Sequence, residues 1–127
     1  MIRVALVTIT ALLLATGAHA ADPHLPKEFV GKWCFDENAK AYSRTKSIKG
    51  CNSSLEITPQ RLSYSWEDAD EVCLLFNIIP LPKEEGPGVS AGFICRHKDY
   101  GNNTTKVDEV ELAIGLDRRH LILIDRN

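Results

Sequence analysis

Period-two alternation governs the chain from Phe29 onward. Phe29, Gly31, Trp33 and Phe35 fall on one side of an extended segment, with Val30, Lys32 and Cys34 on the other. That is the signature of a strand with one buried face. The rhythm returns in Leu55-Glu56-Ile57-Thr58 and in Arg61-Leu62-Ser63-Tyr64-Ser65-Trp66. Between them, Thr-Pro-Gln-Arg suits a tight turn with proline at its second position, so the two runs predict a hairpin. Further on, Val89, Ala91, Phe93 and Cys95 share a face, and Val110, Leu112 and Ile114 oppose Glu109, Glu111 and Ala113. Two segments break the rule. Residues 72–79 and 121–124 are apolar on both faces. Such strands are either buried on both sides or present an apolar patch to a partner.

The polar stretch 36–50 carries Asp36, Glu37, Asn38, Lys40, Arg44, Lys46 and Lys49. It reads as a long loop with a short helical turn around Asn38 to Tyr42. No segment has the apolar spacing of a regular helix. Seven or eight short strands joined by turns predict an all-β, antiparallel meander that closes into a barrel, which would also remove exposed sheet edges.

The first twenty residues do not belong to that pattern. Arg3 precedes an apolar run from Val4 to Ala15, and Ala18-His19-Ala20 forms an A-x-A cleavage site. Residues 1–20 therefore read as a cleaved signal peptide, leaving 21–127 as one barrel domain in the periplasm or outside the cell. The run is too short to span a bilayer. The chain carries a formal charge of −2, and losing Arg3 makes it more acidic. Such a balance argues against nucleic acid as a partner.

All four cysteines, Cys34, Cys51, Cys73 and Cys95, follow the leader. In an exported chain an even number reads as disulfides, and four cysteines allow three pairings. Joining neighbours in chain order, Cys34–Cys51 and Cys73–Cys95, is the favoured arrangement. The spacing contains no C-x-x-C knuckle, so neither zinc nor any other metal or cofactor is expected.

Catalytic constellations are hard to find. With the cysteines in disulfides there is no thiol nucleophile, and no serine sits in a G-x-S-x-G elbow. Gly86-Pro87-Gly88 has proline where a phosphate-binding N–H would be needed. Glu67, Asp68, Asp70 and Glu71 form an acidic cluster on a predicted turn, where solvation keeps carboxyl groups at ordinary acidity. The expectation is a protein without a reactive centre.

Gly31-Lys32-Trp33-Cys34 resembles the opening strand of lipocalin-type barrels, and Asp99-Tyr100 resembles that family's later T-D-Y turn, here with lysine first. The chain is also similar to small exported bacterial barrels. These are the inhibitors of serralysin-type metalloproteases and a group of periplasmic proteins with a G-x-W-C start, to which no activity is assigned. The second similarity runs from Leu25 to Ile124 through Ile57-Thr58-Pro59, Glu71-Val72-Cys73 and the apolar last strand. The resemblance implies a lipocalin-like barrel with its tryptophan at the closed base, and, by analogy with the inhibitors, an N-terminal arm that enters a partner.

Two functions follow as expectations. The first is an exported, non-enzymatic interaction protein, for instance an inhibitor of a secreted enzyme, with Leu75, Ile79 and Leu81 as partner surface. The second is a carrier of a small apolar ligand, with Trp33, Tyr64, Trp66, Phe76 and Phe93 lining the barrel.

Overall fold

The computed structural model describes residues 22–82 and 88–126, so the predicted leader lies outside the described residues. Eight strands follow one another: β1 Gly31–Asp36, β2 Ala41–Thr45, β3 Ser53–Thr58, β4 Arg61–Trp66, β5 Ala69–Pro80, β6 Gly88–Asp99, β7 Thr104–Asp117 and β8 His120–Asp125. They close into one antiparallel barrel in the order β1-β2-β8-β7-β6-β5-β4-β3. The predicted hairpin is β3–β4, with Leu55 opposite Tyr64 and Ile57 opposite Leu62.

On the alternating strands the inward positions Trp33, Leu55, Ile57, Leu62, Phe93 and Ile114 are fully buried, as the alternation assigned, and Leu121 of the two-sided last strand joins them. The tryptophan seals the base. Its Nε1 donates to the Phe29 carbonyl at 2.9 Å, and the Arg44 guanidinium lies 4.3 Å above its ring. Arg44 also donates to the carbonyls of Val30 and Glu28 at 2.9 and 2.7 Å. Gly31, at φ +142°, leaves the space that this guanidinium fills; a β-carbon there would stand 2.6 Å from Nη1. Below, Leu25 and Phe29 are buried, and the Leu25 N–H donates to the Pro59 carbonyl.

Both favoured disulfides form. Cys34–Cys51 lies on the outside. β2 ends at the base and β3 begins at the top, so residues 46–52 must cross the outer face of β1, where Cys34 pins them. Cys73–Cys95 joins facing residues of β5 and β6 inside the barrel, both almost fully buried.

Two expectations need correction. The first strand starts at Gly31 rather than Phe29, because Lys27–Phe29 turns as a single 3-10 element whose Val30 N–H bonds back to Lys27. The polar stretch 36–50 is not one loop with a helical turn. The Asp36 carboxylate caps the turn by accepting from the N–H groups of Asn38 and Ala39, and Lys40 takes φ 50°. Strand β2 follows directly. Its single inward aromatic, Tyr42, packs edge-on against Phe35 at 5.3 Å.

Candidate functional site

The five aromatics expected to line one cavity are distributed over the whole wall. Trp33 is the floor and Phe93 the middle of the core, each 0–1% exposed. Tyr64 stands above them, stacked on Trp66 at 5.5 Å with the rings 3° apart. Phe76 points outward. Leu55, Ile57, Leu62, Ile114, Leu121 and the Cys73–Cys95 bridge occupy the space between floor and mouth. A small barrel can be filled in this way by its own side chains.

The upper interior holds a polar–aromatic group that the aromatic spacing alone did not reveal. Glu71 faces Tyr64 on one side and His97 on the other. Its carboxylate lies 3.9 Å from His97 Nδ1, and His97 tilts against Trp66 at 5.7 Å. Burial pushes the Glu71 carboxyl above its usual range; His97 pulls it back and Asp108 pushes it further up. Burial, reinforced by Tyr42 and Glu71, keeps the Tyr64 phenol neutral far beyond its ordinary range. Tyr42 is raised likewise by burial, against a hydrogen bond with Ser53. Counting parity outward from Cys73 and Cys95 would have placed Glu71 and His97 inside.

The acidic cluster of residues 67–71 is divided by the strand. Glu71 points in. Asp70 accepts hydrogen bonds from Ser65 Oγ at 3.0 Å and Tyr100 Oη at 2.6 Å, tying the β4–β5 turn to the β6–β7 turn. Glu67 and Asp68 remain exposed on the turn itself. Glu71 lies near both sulfurs of Cys73 and Cys95, but a disulfide offers no thiolate to a metal.

The outer face of β5, β6 and β7 is the second candidate region. Val72, Leu74, Phe76, Ile79, Ile94 and Val107 are exposed there, Leu74 at 57% and Val107 at 62%. Leu74 sits opposite Ile94, and Arg96 stands between Val72 and Val107. A register shift between Leu75 and Asn77 places Phe76 in a bulge, and its ring covers Gly92, where a β-carbon would come within 2.8 Å of it. The bulge also reverses parity. Before it, Cys73 and Leu75 point inward; after it, Ile78 does, opposite buried Ala91.

The expected partner surface therefore changes membership. Leu75 packs against the core, Ile79 is outward as expected, and half-buried Leu81 donates its N–H to the Gly88 carbonyl. Beside Phe76 and Ile79 runs an open groove of about 410 Å³, bounded on β7 by Glu109 and Glu111. Among the described residues, neither the segment 22–30 nor the 46–52 crossing covers this face, since one lies at the base and the other over β1. Comparison with protein-family models, with curated proteins and with solved structures returns no match.

Proposed function

We propose that the protein is an exported, non-enzymatic binding protein that recognises another protein through the outer face of β5–β7. The observation that carries this reading is the exposed set Val72, Leu74, Phe76, Ile79 and Ile94 on neighbouring β5 and β6, with Val107 on β7 across Arg96. Isolated surface apolar residues are ordinary, but a contiguous apolar patch framed by charge is the usual mark of an interaction site. Glu109 and Glu111 beside the groove favour an apolar segment that carries a basic residue.

Export is supported by the two disulfides and by the leader; among the described residues no helix is long and apolar enough to cross a membrane. The absence of a reactive centre is supported by the cysteines all being bridged and Asp70 being held in structural hydrogen bonds. Inhibition of a secreted enzyme is the particular form that the family resemblance suggests. The wall, rather than an arm, is then the contact, because Leu25 is anchored beneath the floor. The carrier alternative has less support, since the lower barrel is already occupied by side chains.

The test compares the disulfide-intact protein with its Leu74→Glu/Ile94→Glu variant in recovering partners from the exported fraction. A partner held by the wild type and lost from the folded variant supports the reading. Equal recovery by both would remove it.

A further inference from the structure

We propose that this chain pairs with a second copy of itself through the open upper edge of β7, residues 104–110, joining two barrels into one sheet about a twofold axis through Val107. The argument begins with where β8 stops. β7 is fourteen residues long and pairs with β6 along almost its whole length, but β8 reaches only to Asp125, opposite Leu112. The Arg126 N–H then donates to the Glu111 carbonyl at 2.9 Å. Above that bond, no described strand flanks β7 on this side, and residues 104–109 are all exposed.

The same bond fixes the phase of the edge. Since the backbone of Glu111 faces the β8 side, alternation turns the N–H and C=O groups of Thr105, Val107 and Glu109 toward the open edge. Those of Lys106, Asp108 and Val110 are directed at β6, opposite His97, Cys95 and Phe93. The barrel thus leaves a short template for one more strand, which sheet proteins otherwise cover or disable.

Charge selects the occupant. An antiparallel twofold pairs each residue with its mirror position about the centre. A centre at Lys106 sets lysine against lysine, and one at Asp108 sets aspartate against aspartate and Val107 against Glu109. A centre at Glu109 sets glutamate against glutamate. Only about Val107 do the charges match: Lys106 meets Asp108 of the other copy, Asp108 meets its Lys106, and the two exposed valines meet each other. Within one chain Lys106 Nζ already stands 3.4 Å from Asp108 Oδ2, so the dimer closes a ring of alternating charge. This centre also makes Val107 a mutually hydrogen-bonded pair, with Thr105 and Glu109 bonding across in the same way. A lysine on an edge strand usually repels intruders. Here it already meets Asp108 of its own chain, and across the edge it finds a second opposite charge only in an inverted copy of its own sequence.

The proposal shares Val107 and Glu109 with the outer-face reading but rests on the backbone edge of β7, so Leu74 and Ile94 tell the two apart. Sedimentation velocity over a dilution series of the disulfide-intact protein tests it. The wild type is expected to dimerise reversibly. Val107→Pro deletes an edge-facing N–H without touching the β6 ladder and should give a folded monomer. Lys106→Asp alone reverses two cross-strand contacts and should weaken association about tenfold or more. Asp108→Lys alone should do the same, mixing the two single variants should produce a heterodimer, and Lys106→Asp/Asp108→Lys in one chain should restore self-pairing. Leu74→Glu/Ile94→Glu should leave the dimer intact even where it abolishes partner binding. A wild type that stays monomeric at its highest soluble concentration overturns the proposal. So does a dimer indifferent to Val107→Pro and to the charge exchange, or one dissociated by the outer-face variant.

Discussion

The barrel has two unlike walls. β1 to β4 and β8 are five or six residues long, while β5, β6 and β7 run to twelve, twelve and fourteen. Both walls send apolar side chains inward, so the distinction lies outside and at the ends. The short wall carries Lys32, Glu56, Arg61, Ser63 and Ser65 outward and is crossed by the disulfide-pinned segment 46–52. The long wall turns Leu74, Phe76, Ile94 and Val107 to solvent and projects past the strands that would flank it. Closing the barrel needs only the short length. The surplus on β5–β7 does little for closure, which leaves it available for contact with something else. On the proposed reading, stability and recognition fall on different sides of one small domain.

Substitutions on the two walls should diverge most at the floor. Trp33→Ala removes a fully buried indole, its bond to Phe29 and its contact with Arg44. A loss of roughly 3–5 kcal/mol in urea unfolding is expected. Leu74→Ala or Ile94→Ala on the long wall should stay within about 0.5 kcal/mol. Comparable losses at the two places would erase the division.

The disulfides make the next contrast. Their sequence separations, 17 and 22, are close enough that loop closure favours each by about 3 kcal/mol. Cys73→Ala/Cys95→Ala, however, also empties volume in the core, whereas Cys34→Ala/Cys51→Ala frees only the external crossing. The first pair should therefore lower the unfolding midpoint further. Arg44→Met follows, at about 1–2 kcal/mol, because it strips donors from the Val30 and Glu28 carbonyls while keeping an apolar stem over Trp33. An unchanged unfolding midpoint would mean that these exposed carbonyls find water at no cost.

How much of this was legible beforehand differs by wall as well. Strict alternation around Trp33, Leu55, Ile57, Leu62 and Tyr64 gave the inward face directly, and the cysteine order gave the correct pairing. β2 was hidden because only Ala41 and Tyr42 are apolar in it; its place depends on pairing with β1 and β8, which no local pattern encodes. On β5 the two-sided apolar run announced an unusual strand but not which side was open. That depended on the bulge at Phe76, a one-residue slip that exchanges faces midway. The same parity kept Glu71 out of view, since a carboxylate within an acidic run reads as turn until the strand is extended back to Ala69.

Glu71 supplies the smallest effect, and its sign is informative because it sits between the walls. A carboxyl held above its usual range by burial binds its proton more tightly in the folded than in the unfolded chain. Its contribution is therefore present in acid and lost as pH rises from the usual carboxylate range through the folded value. Glu71→Gln cannot ionise and escapes that loss. The variant should match the wild type in acid and exceed it near neutrality, by less than about 1 kcal/mol because the group is only half-buried and solvent screens it. Urea midpoints measured from acidic to neutral pH would read the difference. His97→Ala should enlarge it, since the imidazole 3.9 Å away is the neighbour that favours the ionised form. If Glu71→Gln instead weakens the protein at neutral pH, then the pair with His97 outweighs desolvation, and the upper interior is held by charge where the lower is held by packing.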